Sequence, residues 1–446
     1  MRYNRRTDEH ALKVAGRLVP EAALLWCATI DAPMNMPCNN PLKYAVVIAD
    51  GASGEPLDAY GGQTSLEVAH TPHLDALAQT GLVGLSKNVP DNLEPSSNIA
   101  CTAICGYDPA LYPIGRGALE GAALGLELAD DEVALRLNLT HVSPEGVMVS
   151  YSTDNISGTD ARALLTELAA ALDDDTFKLY PGVGFRGILV VKGHPGLLQT
   201  RLYAAHNMSD EKVAGYQPHG PEAALIINYQ NRARRLLASS PTNTARRNKG
   251  LLPATDVFVF WPGQRPQHMT SFAKLYGKNA GMLSGVDLLN GIALLANIQP
   301  YHFAGVTDGP DNNYTAQAEG ALQILAEKDV AFIHVEAPDA EGHDGNAAGK
   351  IAAIEALDRE IISRLVPLVS SLAARVLVLP DHPTPVALKR HSRDLVPFVL
   401  AGSGFASNGG RRLTEAEGAR TGLIVSPGYQ LMAMLLSAES ACSPAH

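Results

Sequence analysis

The chain has no apolar run approaching the ~20 residues that cross a bilayer, so a membrane-spanning helix is not expected. Cysteine is scarce: five residues, at positions 27, 38, 101, 105 and 442, an odd number with no CxxC pair. That argues against a disulfide framework and for a reducing, cytoplasmic setting. Positive charge is also short, with 35 Lys and Arg against 46 Asp and Glu and a net charge of -11. Nonspecific nucleic-acid binding needs basic surface and is not expected here. A small anionic substrate is not excluded, because a few local cations can serve it. Neither an internal repeat nor a long low-complexity tract occurs. The N-terminal stretch begins basic, but its apolar run, Ala22–Ile30, is short and late, and it does not read as a secretory signal.

What is present is a chain of 446 residues, 46% of them hydrophobic. That length allows two or three domains, or one large domain carrying an insertion. Short β-rich runs at Tyr44–Ala49, Gly187–Val191, Asp256–Trp261, Val330–Val335, Ala374–Leu379 and Leu395–Leu400 read as buried strands. Helical periodicity covers Ser65–Gln79, Ala161–Leu172, Val286–Ala296, Asn313–Lys328 and Ala347–Ser370. The alternation predicts an α/β fold with a mainly parallel sheet flanked by helices. Residues 120–245 carry acidic and Arg-rich polar stretches and read as an inserted smaller α/β cap domain, with "SSPTNTARRNKG" as its linker. Residues 43–119 and 246–446 then form the core, and 1–42 an N-terminal extension.

In parallel sheets ligands bind beyond the carboxyl ends of the strands. "YAVVIA" runs into Asp50-Gly51, "VAFIHV" into "EAPDAEGHDG", and "ARVLVL" into "PDHPTP". The candidate metal ligands are therefore Asp50, Asp339, His343, Asp381, His382 and His391. Each alone has a plain structural reading, as a strand-end turn or a solvated loop. Together they are oxygen and nitrogen donors without a thiolate, a set suited to Mn²⁺ or Zn²⁺, with Co²⁺ and Mg²⁺ as alternatives. With a serine oxygen they would serve two divalent ions, which can stabilise both the attacking and leaving oxygens of a phosphoryl transfer. "PSSNIACTAICGYDP" supplies serines at a helix start, where capping and nucleophilic readings compete.

These stretches, with "YGGQTSLEVAHTPHLDALAQTG", "GYDPALYPIGRGALE", "RLNLTHVS", "SGVDLLNGIALLA" and "KIAAIEALDREI", resemble the alkaline phosphatase superfamily. Within it the chain is most similar to the archaeal-type cofactor-independent phosphoglycerate mutases. The resemblance covers most of the chain from residue 43 onward. It implies a phosphatase-like core with two metals, Asp339, His343 and His391 at one and Asp50, Asp381 and His382 at the other. It implies Ser97 as the nucleophile at the second metal. It further implies that a small phosphorylated metabolite, 3-phosphoglycerate, is isomerised through a phosphoserine, with Arg116, Arg136, Arg186 and Lys389 as substrate cations. Lys350 falls at a family-like position that would support the site loop. Three departures are neutral residues where the family carries charge: Gln63, Asn98 and Asn155. They leave open a phosphohydrolase or phosphotransferase acting on another metabolite, or a binding protein without catalysis.

Overall fold

The computed structural model describes residues 41–112, 115–265, 269–371 and 373–437. Most of the expected N-terminal extension therefore lies outside the described residues. Thirteen strands occur among these residues: β1 (Lys43–Ala49), β2 (Leu82–Ser86), β3 (Glu132–Val142), β4 (Met148–Ser150), β5 (Phe177–Pro181), β6 (Arg186–Lys192), β7 (Asp256–Gln264), β8 (Ala280–Leu283), β9 (Gln299–Tyr301), β10 (Val330–Val335), β11 (Ala374–Leu379), β12 (Val396–Gly402) and β13 (Ile424–Val425). They form two sheets. The larger runs β13-β2-β12-β11-β1-β10-β8-β9, and from β11 to β9 it is parallel throughout. β12 joins β11 and β2 antiparallel.

β1 explains why its sequence is a continuous apolar run. Ala45, Val47 and Ala49 face one buried cluster, and Tyr44, Val46 and Ile48 face another. Successive side chains point to opposite faces, and both faces of a parallel sheet are covered by helices. The Pro72–Thr80 and Tyr314–Glu327 helices lie on the first face, and the Ser97–Ile104 and Asp287–Leu295 helices on the second.

The second sheet is antiparallel, in the order β4-β3-β6-β5 with β7 on the other side of β3. Leu164, Leu168, Ile226 and Tyr229 of two long helices cover one face of it. On the other face the Arg116–Ala123 helix packs Ala118 against Ala134 and Ile188. That helix also meets the Asp287–Leu295 helix of the large sheet. A Cβ added at Gly291 would lie 2.2 Å from the Leu119 carbonyl, so this crossing requires glycine.

The boundary expected at residue 245 moves. "SSPTNTARRNKG" is no linker but contains the Pro241–Asn248 helix, capped by Ser240, whose hydroxyl accepts from the Asn243 N–H. Asn243 and Arg246 are buried, and Arg246 pairs with Asp160 at 2.6 Å. Polar composition misled because these side chains are satisfied inside the lobe. β7 then completes the second sheet. The helix expected over Ser65–Gln79 breaks into Ser65–Val68 and Pro72–Thr80. Pro72 disfavours helical backbone at Thr71. The long periodic run after Ala347 contains one widened turn, Asp358–Ile362. Asp358 there accepts the Leu74 N–H at 2.7 Å and caps the Pro72–Thr80 helix. Among the described residues no helix is long and apolar enough to cross a membrane.

Candidate functional site

β1, β10 and β11 are adjacent and parallel, so their carboxyl ends emerge together. Ala49 pairs with Val335, and Ile48 with Leu379. That register sets Asp50, Glu336 and Asp381 at one level at the sheet's end. Asp50 and Asp381 are fully buried, and Asp339 nearly so. Asp339 and His343 lie four residues apart on the Ala337–Asp344 helix, so they share a face.

The expected ligands form two groups. In one, Asp339 Oδ2 lies 3.3 Å from His343 Nε2, and Asp339 Oδ1 lies 3.5 Å from His391 Nε2. The two histidine nitrogens are 2.8 Å apart. The His343 Nδ1 sits 2.9 Å from the Lys389 carbonyl, which orients its Nε2 inward. In the other group, His382 Nε2 lies 3.1 Å from Asp381 Oδ2, 3.2 Å from Ser97 Oγ and 3.8 Å from Asp50 Oδ1. The His382 and His391 rings stack at 3.8 Å and join the groups. Thr384 donates its hydroxyl to Asp339.

This donor set fits divalent cations. Asp50 Oδ1 is buried without a hydrogen-bond partner. Burial pushes the Asp50 carboxyl well above the usual range, and the charges of Asp381, Glu336 and Asp339 add to it. Burial opposes ionisation of Asp339 as well, yet hydrogen bonds from His343 and His391 hold it well below the usual range. Several buried carboxylates, none hydrogen-bonded to an ammonium or guanidinium among the described residues, need positive charge beyond that of the nearby Lys350. Asp50, Asp339 and His382 each offer an atom within 4.8 Å of the others, as do Asp339, His343 and His391.

Ser97 is the first residue of the Ser97–Ile104 helix. Ser96 holds the N-cap position, and its side chain makes no capping bond. The hydroxyl of Ser97 faces His382 instead, at the helix end where free N–H groups and the dipole favour an anion. Asn98 follows on the same turn, and its carbonyl accepts from Thr102.

Arg116, Arg136 and Arg186 come together. They line a cleft of about 200 Å³ between the lobes with Glu120, Asp287, Asp308 and Glu336. Glu120 Oε1 accepts from Arg116 at 2.9 Å and from Arg136 at 2.6 Å. Burial lowers the Arg136 pKa to about 10 although Glu120 opposes the shift. The Arg186 Nε is buried with no partner. Lys389 does not join them: its ammonium donates to the Asp344 carbonyl at 3.0 Å, at the end of the helix that carries His343. Gln63 is exposed, beyond a pair of glycines. Asn155 ends a run of three positive-φ residues, Thr153, Asp154 and Asn155. Lys350 is buried and donates to the carbonyls of Ser53 and Thr384, tying together the loops after β1 and β11.

Sequence reasoning missed His334, which is fully buried at the end of β10. Its Nε2 lies 2.7 Å from Asp50 Oδ2, and its Nδ1 3.0 Å from Ser284 Oγ. Ser284 accepts the Val286 N–H and can donate its own proton to Nδ1, the tautomer in which the imidazole donates to an ionised Asp50. Burial lowers the His334 pKa to about 4, consistent with this neutral form. The signal was a lone histidine inside an apolar strand, which needs a buried partner.

The family model described as 2,3-bisphosphoglycerate-independent phosphoglycerate mutase matches residues 78–243. A protein of that name from Methanosarcina barkeri is 38% identical over 361 residues, covering 80% of this chain and 90% of its own. A probable one from Geobacter sulfurreducens is 36% identical, covering 89% of this chain and all of its own. The cofactor-independent phosphoglycerate mutase of Thermoplasma acidophilum shares the fold, with a TM-score of 0.60 at 23% identity over 89% of this chain and 99% of its own. A Pyrococcus horikoshii protein aligns with a TM-score of 0.73 at 24% identity, over 89% of this chain and 97% of its own. The chain belongs to the family of 2,3-bisphosphoglycerate-independent phosphoglycerate mutases.

Proposed function

We propose that the protein interconverts 3-phosphoglycerate and 2-phosphoglycerate through a phosphoryl group carried on Ser97. The observation that carries this is the placement of the Ser97 hydroxyl at a helix N-terminus, 3.2 Å from His382 Nε2 and among buried carboxylates. Asp339, His343 and His391 would hold one divalent cation, and Asp50, Asp381 and His382 the other, with Mn²⁺ or Zn²⁺ suiting the donors. Such cations, when bound, polarise phosphoryl oxygens and favour the ionised serine.

The steps of the chain's own residues follow. The Ser97 oxygen attacks phosphorus and gives up its proton as the bond to the substrate's 3-oxygen breaks, and that leaving oxygen takes up a proton to become the 3-hydroxyl of glycerate. Glycerate remains, its carboxylate held by guanidinium groups of the cleft, which offer paired donors to a planar anion. The glycerate turns, and its 2-hydroxyl takes the phosphoryl group back while the Ser97 oxygen leaves. Water must be kept out, or the phosphoserine is lost to hydrolysis. The lobe of the second sheet serves as that cover, in a cytoplasmic setting.

The test is incubation of metal-loaded protein with 3-phosphoglycerate and no bisphosphoglycerate, following 2-phosphoglycerate and free phosphate. Isomer without phosphate supports the proposal; phosphate alone sinks it in favour of a phosphohydrolase. Ser97→Ala is expected to abolish turnover and leave metal content unchanged.

A further inference from the structure

We propose that the second lobe supplies a substrate-contacting histidine, His206, which hydrogen-bonds the glycerate part of the substrate from the side opposite the metal ligands. Trp261 acts with it as a positioning residue. The assignment rests on the mutase reading above and extends it to residues with no local sequence signal.

His206 lies in the short helical turn Ala205–Met208. Its ring meets Trp261 at 5.5 Å, Tyr151 at 6.1 Å and Phe260 at 6.2 Å, so three aromatic rings fix its direction. Among the described residues its ring nitrogens make no hydrogen bond, and the residue is reachable by solvent. Its charged surroundings identify what it faces. Burial lowers its pKa to about 4, and the positive charges of Arg116, Arg136 and His343 contribute in that order. Trp261, which meets both the His206 ring and the Arg116 guanidinium, links His206 to the arginines. A cluster of cationic groups with a neutral imidazole among them suits an anion carrying hydroxyls. The imidazole offers one donor and one acceptor, so it can serve the glycerate hydroxyl before and after the phosphoryl group moves.

Trp261 makes this geometry possible. Ala134 pairs with Gly263 and Arg136 with Phe260, so Trp261 and Pro262 together oppose Leu135. This is a bulge, a device that re-aims a side chain. Trp261 adopts φ 53°, which a bulky residue takes up only where its surroundings impose it. The turned indole lies 4.0 Å from the Arg116 guanidinium and 5.7 Å from that of Arg136. One side chain thus braces both arginines and His206.

The experiment compares wild-type, His206→Ala, His206→Gln and Trp261→Phe as metal-loaded full chains. It measures kcat and KM in both directions and the ratio of free phosphate to isomer. Metal content and thermal unfolding establish that each variant is folded. His206→Ala is expected to slow isomerisation on the order of 10–100-fold and raise the share of turnovers ending in phosphate. His206→Gln, which keeps a donor and an acceptor, recovers part of both. Trp261→Phe raises KM more than it lowers kcat. A folded His206→Ala with wild-type KM and wild-type partition overturns the role of His206 while leaving the mutase reading intact. A wild-type protein that forms no isomer overturns the mutase reading and this assignment with it.

Discussion

Replacing His334 tests how the site holds its charge. The chain Val286 N–H, Ser284 Oγ, His334, Asp50 is buried from Ser284 onward, and its last contact is 2.7 Å. His334→Leu removes the donor to Asp50 Oδ2 and leaves a fully buried carboxylate to find its own orientation. A hydrogen bond to a charged group is worth about 1.5–3 kcal/mol. At 1.4 kcal/mol per factor of ten, the cation beside Asp50 should bind roughly 10–100-fold more weakly, which matches the usual effect of removing a ligand's supporting partner. His334→Gln places an amide donor close to the Nε2 position and should retain most of the affinity. Competition of each variant against a coloured chelator for Mn²⁺ or Zn²⁺ reads this directly. A folded His334→Leu variant that binds both ions as tightly as wild-type would refute the reasoning.

Gly51→Ala should be more damaging than its size suggests. The added Cβ would lie 2.5 Å from Asp339 Oδ1 and 2.7 Å from Thr384 Oγ1, at φ 59°. Strain of about 1–3 kcal/mol should appear as a lower unfolding midpoint together with reduced metal content. Arg186→Met should separate stability from binding: it removes a buried Nε without a partner, so the midpoint should hold or rise while KM for phosphoglycerate increases. His206 has a pKa lowered to about 4 in the fold, against roughly 6.5 in the unfolded chain. Between those values the unfolded chain binds more protons, so this histidine's contribution is present above about pH 6.5 and is lost as pH falls toward 4. The fall in unfolding midpoint across that window should be shallower in His206→Gln than in wild-type, measured by calorimetry at matched ionic strength.

The parallel core was legible because its strands are buried on both faces and read as unbroken apolar runs. The metal-type side chains were legible as a set, because they fall in loops that follow or lead into those runs, although each alone has a plain structural reading. β3 was not named as a strand, although it is the longest, because Arg136, Asn138 and Thr140 interrupt its apolar pattern; all three are buried. The lobe boundary was misplaced because polar residues of the Pro241–Asn248 helix find partners elsewhere in the lobe: Asn243 donates to the Leu237 carbonyl and Arg246 to Asp160.

Sequence alone determined the fold class and the set of candidate ligands, since each depends on residue type and position relative to a strand end; the division of those ligands into two groups and the choice of Ser97 rested on the family resemblance. Only the tertiary structure decided that Ser97 faces His382 and does not cap its helix. It alone brought Arg116, Arg136 and Arg186 into one cleft while setting Lys389 apart. It also set His334 against Asp50 and turned Trp261 toward the arginines and against His206. Those relations depend on strand register, a bulge and the packing of two lobes, which join residues far apart in the chain and leave no local pattern in it.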